Sequence, residues 1–321
     1  MIWPPGRGPG GERACVRGVE GKSLVSNLRN IYESGQFALS VEIFPPKTEA
    51  GDADLAKTLH SLGAYQPAFV SCTYGAGGST QGRTLHWCRM IQKELGLTAT
   101  AHFTCVGASQ SGLRDWLDQA WESGVRNIMA LRGDPPKGET AFVPAEDGLR
   151  YANELVALIR SHRPEMGIGV AGYPEKHVEA TCPDLDLANL VRKVEAGADA
   201  VFTQMFFDNE HFFRFREKAV KAGITVPIVP GVMPITSFER IKRISEMCGT
   251  EFPADLSLRL EAAKDNPEDE FEIGIAHAIE QCRELLESGV PGMHFYVLNK
   301  ARACQRIFDA LGLGSAVAGP A

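Results

Sequence analysis

Several short stretches of this chain carry residues that can do chemistry. LSVEIFPPK, residues 39–47, places Glu42 inside an apolar run that stops at Pro45-Pro46. A carboxylate withdrawn from water is costly unless it is paired or neutralised. In an extended strand Ala38, Ser40 and Glu42 share one face, and Leu39, Val41 and Ile43 the other. With the aliphatic face turned toward covering helices, Glu42 points inward. Poor solvation there predicts a raised pKa, which suits a general acid at neutral pH. A Glu held for structure by a backbone cap or an Arg fits the same residues.

LRGDPP, residues 131–136, combines Gly133, which permits close backbone approach, with Asp134 in a loop stiffened by two prolines. Asp134 can orient a substrate amino group or bias the electronics of a cofactor; it can also be a plain turn residue. TYGAGGS, 73–79, has the glycines of a phosphate-cradling loop but not the G-x-G-x-x-G spacing of a dinucleotide fold. YPEKH, 173–177, is followed by Asp186, Asn189, Arg192 and Lys193, three or four residues apart and so on one helix face. Such a face can hold ribose hydroxyls and phosphates, or be a solvated amphipathic face. His102 and Cys105 form an HxxC without a second pair of ligands, so no metal site is expected.

These residues need elements to position them. β-rich runs occur at 38–43, 68–73, 98–103, 126–131, 167–172, 199–205, 225–229 and 293–298. Helix-spaced stretches at 52–62, 82–95, 111–123, 148–162, 185–196, 209–222 and 236–247 alternate with them, and 23–34 precedes the first strand. At least two helices fit in 236–290, before the last strand. Strand and helix in strict alternation predict an α/β fold, a (β/α)8 TIM barrel, as a single domain with extra helices before strand eight. The barrel is expected over 23–313, with a disordered leader at 1–22 and a flexible tail at 314–321. In this fold the active site lies at the C-terminal ends of the strands. Glu42, Thr73-Tyr74, His102, Arg132-Gly133-Asp134, Tyr173, His177, Gln204, Tyr296 and Asn299-Lys300 all fall there.

Composition narrows the partners. The chain has 321 residues, a hydrophobic fraction of 44%, a charged fraction of 23% and a net charge of −7, without a long basic run, which argues against nucleic acid. No apolar stretch approaches the roughly 20 residues of a membrane span. The start lacks the apolar core of a secretory signal. Eight scattered cysteines without a CxxC pair suggest reduced thiols in a cytoplasm.

SVEIFPPK, VSCTYGAGGS, AHFTC, ALRGDPP, YPEKH, RKVEAGADAVFTQMFFD, IVPGVMP and HFYVLNK occur in the order found in methylenetetrahydrofolate reductases, and the resemblance runs from about residue 24 to about residue 312. It implies a barrel that binds FAD non-covalently at its mouth. Such a barrel reduces 5,10-methylenetetrahydrofolate to 5-methyltetrahydrofolate with NADH or NADPH, in ping-pong order. Carried over position by position, it makes Glu42 the proton donor to the folate nitrogen and Asp134 the acid near flavin and pterin. Gln204 becomes the contact to pterin and nicotinamide. FAD is expected on Thr73, Tyr74, Ala76, His102, Arg132, Gly133, Asp134, Ala152, Tyr173, His177, Ala180, Asp186, Asn189, Arg192 and Lys193. Arg240 and Lys300 depart from the family pattern, standing where some relatives have a neutral amide and an Arg, and are expected at the glutamate tail of folate. Relatives are commonly homo-oligomers. The length resembles the short bacterial form, with no inhibition by S-adenosylmethionine expected. A flavin-free pterin methyltransferase, or a non-catalytic flavin-binding subunit, would use parts of the same residue set.

Overall fold

The computed structural model describes residues 26–74, 81–134 and 142–314. The parts of the expected leader and tail in 1–25 and 315–321, and Ala76, lie outside the described residues. Eight parallel strands close a barrel in chain order: β1 (Ala38–Ile43), β2 (Phe69–Cys72), β3 (Ala99–Thr104), β4 (Asn127–Leu131), β5 (Gly167–Gly172), β6 (Ala200–Met205), β7 (Ile228–Val232) and β8 (Gly292–Tyr296). The fold is therefore the (β/α)8 barrel expected from the alternation.

Around it run α2 (Glu49–Gly63), α3 (Gln81–Leu95), α4 (Gln110–Glu122), α5 (Ala152–His162), α6 (Pro183–Glu195), α7 (Asn209–Lys221) and, after β8, α11 (Ala301–Leu311), while α1 (Leu28–Glu33) precedes β1. Three helices, α8 (Phe238–Cys248), α9 (Ala254–Ala262) and α10 (Pro267–Glu287), separate β7 from β8. Local chemistry sets many of the starts. The Thr48 and Ser109 side chains accept from the backbone N–H groups of Gly51 and Gly112. Pro183 and Pro267 stand in the first turn of α6 and α10, where no N–H is needed.

The pleat behaves as the sequence requires. Outward Leu39, Val41 and Ile43 join Leu55, Leu59 and Leu62 of α2 in the main core. Inward residues Ala38, Phe69, Met129, Ala200, Phe202 and Val229 form a second, smaller cluster with Leu28 and Tyr32 of α1, which plugs the barrel floor. Register fixes who shares a row: Ser40 pairs with His294, Glu42 with Tyr296 on one side and Ser71 on the other, and Ser71 in turn with Thr100. Paired residues of parallel strands face the same side, so a set of polar side chains projects into the barrel from β8, β1, β2 and β3.

One strand sits later than its sequence pattern. The apolar run suggested 225–229, whereas β7 covers Ile228–Val232. Pro227 takes part only through its carbonyl, accepting from Val201 N at 2.8 Å, and Pro230 brings no N–H to the ladder. The β6–β7 register slips between Phe202 and Met205. At the slip, Gly231 N donates to the Thr203 side chain at 2.9 Å, and the Tyr296 hydroxyl donates to the Thr203 carbonyl at 2.7 Å. A Cβ at Gly231 would stand 2.2 Å from that carbonyl oxygen, so only glycine fits.

Candidate active site

Glu42 ends the inward face of β1 and is boxed in by two imidazoles. Its Oε2 lies 3.0 Å from His102 Nε2 and 3.4 Å from His294 Nε2. The His102 approach is close enough for charge attraction but misses the alignment of a hydrogen bond. His294 Nδ1 is 2.8 Å from Ser40 Oγ, which also reaches the Met293 carbonyl at 3.3 Å. Burial pushes the Glu42 carboxyl up, but attraction to His102 and the contacts from both rings outweigh it and hold the pKa at about 2. This corrects the raised value expected from burial alone: the pleat that points Glu42 inward also brings two imidazoles to it.

Above this cluster opens a cavity of about 420 Å³ at the C-terminal ends of the strands. Thr73, Tyr74, His102, Arg132, Gly133, Asp134, Tyr173, His177 and Gln204 all line it with Glu42. Gly133 has φ +90°, and a Cβ there would meet Thr104 Cβ at 2.9 Å, which fixes why glycine precedes Asp134. Gln204 accepts from the Met205 N–H at 2.9 Å through its side-chain oxygen, leaving its amide nitrogen as a donor for the cavity.

Leu131, Arg132, Ala171, Tyr173 and His177 also line a second cavity, of about 500 Å³, so the two adjoin. Ala152, Ala180, Asp186, Asn189, Arg192 and Lys193 line this outer space. The 186–193 face thus lines a cavity, with Asn189 and Arg192 exposed and Asp186 and Lys193 half-buried. Lys193 Nζ donates to the Ala171 carbonyl at 2.5 Å, and burial pushes its ammonium down to about 8. Arg132 makes a two-pronged pair with Glu179, at 2.5 and 2.7 Å. His177 accepts at Nδ1 from the Glu179 N–H at 3.1 Å, stands edge-on to Tyr173, and is shifted toward its neutral form by burial.

Arg240 and Lys300 are not brought to the main cavity. They line a separate small cleft that shares Tyr296 with it. The sequence reading also missed Ser40 and His294 as members of the acid's network, and Thr104, Ile244 and Cys248 as cavity walls. His294 was within reach: it alternates with Tyr296, which the reading had already placed at the rim. Ile244 and Cys248 carry no such signal, because they arrive on α8 from the insertion.

A closed barrel with a buried acid and a long polar cavity at the C-terminal ends of its strands defines a barrel enzyme's site architecture. Residues 27–312 match the family described as Methylenetetrahydrofolate reductase, and the chain belongs to that family. It is 39% identical over 300 residues to Methylenetetrahydrofolate reductase (NADH) 1 of Arabidopsis thaliana, covering 90% of this chain and 51% of that protein. To 5,10-methylenetetrahydrofolate reductase of Salmonella typhimurium it is 38% identical over 279 residues, covering 87% of this chain and 92% of the relative. The chain thus spans about half the length of the plant relatives and nearly all of the bacterial one. Among solved structures, an uncharacterized Clostridium thermocellum protein that binds two copies of 5-methyl-5,6,7,8-tetrahydrofolic acid shares the fold. Its TM-score is 0.61 at 16% identity, with 89% of this chain and 99% of that chain covered.

Proposed function

We propose that this chain reduces 5,10-methylenetetrahydrofolate to 5-methyltetrahydrofolate through a non-covalently held FAD, with NADH or NADPH as the electron source and the two substrates taking turns in one cavity. The observation that carries this reading is that the Glu42 cavity adjoins the outer space lined by Asp186, Asn189, Arg192 and Lys193, sharing Arg132, Tyr173 and His177 with it. A long ligand with an aromatic end and a phosphate-bearing end fits that outline. The residues fit FAD in kind as well: among the described residues the buried Thr104 hydroxyl has no hydrogen-bond partner, and it lines the mouth. Bound there, FAD supplies the two-electron relay between nicotinamide and folate.

The chain's own residues do the rest. Thr73, Tyr74, His102 and Gly133 wall the ring end. Arg132, Arg192 and Lys193 offer cations to phosphates, Asp186 and Asn189 accept and donate to ribose, and Ala152 and Ala180 leave room beside them. Gln204 and Asp134 orient the pterin. Glu42 delivers a proton to the folate nitrogen as the five-membered ring opens. The proton is held by the Glu42–His102–His294 cluster as a unit, and a covered mouth favours its transfer to the carboxyl, because separated charges cost more away from water. Arg240 and Lys300, in the cleft beyond Tyr296, suit a carboxylate-bearing tail. Among the described residues no helix is long and apolar enough to cross a membrane; the work is proposed for the cytoplasm, in a homo-oligomer.

The test is direct. Purified protein should carry or take up flavin, bleach with NADH or NADPH in the absence of oxygen, and regain colour on adding the folate. Protein that binds no flavin even after FAD is supplied sinks the reading.

A further inference from the structure

The inward face of β3 presents Thr100, His102 and Thr104 one above another, and Ser71 on β2 stands beside Thr100 in register. Ser71 and Thr100 are fully buried, and Thr104 nearly so. None of the three hydroxyls has a hydrogen-bond partner among the described residues. Native interiors rarely leave such groups unpaired, because each loses its hydration without compensation. Thr104 faces the open cavity, but Ser71 and Thr100, side by side in the row of Glu42, point to internal solvent. Beneath them Phe69, Met129, Phe202 and Val229 form an apolar floor.

We propose that Ser71 and Thr100 hold ordered water against Glu42, and that this water returns a proton to the acid while bound ligand covers the mouth. The role rests on the reductase reading given above. In that reaction the methylene carbon gains a hydride, two electrons and one hydrogen, that originates on the reduced nicotinamide. The bond from that carbon to one folate nitrogen breaks, its electron pair stays on the nitrogen, and the nitrogen takes up one proton. One proton is therefore drawn from solvent in each turnover. Glu42 ends each turnover one proton short, and the nearest unpaired hydroxyl in its own row is that of Ser71. Ser71 and Thr100 are positioning residues: they touch neither folate nor cofactor.

Thr100→Val keeps the shape and deletes the hydroxyl, and Thr100→Ser restores it. The first readout needs no cofactor. If Thr100 holds water, Thr100→Val melts lower than the parent and Thr100→Ser does not, and a high-resolution crystal structure of the parent shows solvent density within about 2.7–3.2 Å of both hydroxyls. A Thr100→Val protein that melts at or above the parent, or a parent without that density, overturns the site. The second readout follows the two half-reactions separately. Thr100→Val and Ser71→Ala should slow reoxidation by folate about tenfold, with a larger solvent deuterium effect, and leave reduction by nicotinamide unchanged. Equal rates in both halves overturn the proton role. A parent that reduces no folate at all is instead the failure of the reductase reading, and the melting and density results still decide the water site.

Discussion

Glu42 Oε2 stands 3.0 Å from His102 Nε2, the carboxylate reaching in from β1 and the imidazole from β3, with β2 between them. The strands that carry them do not pair, so the contact is made across the inward curve of the barrel wall over β2. The contact makes the acid part of a cluster with His102 and His294. In the proposed reaction only folate reduction needs a proton from this acid, so the two half-reactions can be told apart. Glu42→Gln should lower the rate of flavin reoxidation by methylenetetrahydrofolate by about 10²–10⁴-fold, the usual worth of a general acid, while reduction by nicotinamide stays intact. Anaerobic stopped-flow absorbance measures each half alone, and equal losses in both would remove Glu42 from its assigned role.

Asp134 is exposed at the rim, one residue beyond Gly133, whose left-handed backbone turns the loop. A negative charge near the ring disfavours adding electrons to it. Solvent screening at an exposed position limits the effect to about 1 kcal/mol, or about 20 mV for a two-electron couple. Asp134→Asn should therefore shift the flavin midpoint to a less negative value by about that amount. Equilibration with a reference dye reads the potential, and an unmoved midpoint would leave Asp134 with pterin binding alone.

How much of this was legible in the residues depends on where each signal sits. The pleat gave Glu42 its inward direction, and spacing gave the 186–193 face, because both follow from one element's periodicity. Whether that face met solvent or a cavity depended on Tyr173 and His177 arriving from the loop after β5, which periodicity does not encode. The pKa of Glu42 failed for a related reason. Burial is visible in one strand, but the two imidazoles that offset it come from β3 and β8, and their approach follows from register and closure. The late start of β7 turned on two prolines interrupting a ladder, and the apolar pattern alone could not show which carbonyls would pair. Arg240 and Lys300 belong to α8 and the loop after β8; their shared cleft comes from the packing of the inserted helices.

The slip between β6 and β7 leaves a stability signature. Gly231 stands where a Cβ would be 2.2 Å from the Thr203 carbonyl oxygen and 2.8 Å from the Tyr296 hydroxyl. A backbone atom cannot step aside as a flexible side chain can, so Gly231→Ala must spread β6 from β7. The expected cost is about 1–3 kcal/mol or more, read as a lower urea midpoint. The hydrogen bonds broken, Gly231 N to Thr203 Oγ1 and Tyr296 Oη to Thr203 O, lie next to Gln204. Folate affinity should therefore fall along with stability. A variant that melts like the parent would mean that the strands part without strain there.

If Lys193 meets a phosphate as proposed, it ties cofactor affinity to pH. Burial lowers its ammonium from an ordinary 10.5 to about 8, and nearby Asp186 offsets only part of that shift. Below the folded value the side chain is charged and can meet a phosphate; as pH rises through about 8 that charge is lost. Stability has the opposite slope. Between about 8 and about 10.5 the unfolded chain binds more protons than the folded one, so folding gains as pH rises across that window. Affinity for ADP, used as the phosphate-bearing half of the cofactor, should therefore weaken above about pH 8, by roughly tenfold or more for a charge-assisted contact. A bound phosphate favours the ammonium, so the fall in affinity should begin slightly above the free protein's value. Calorimetric titration of ADP across this range checks the slope. Lys193→Met should bind weakly at every pH and lose the dependence, whereas a variant that keeps the parent's profile would assign the titration to another group.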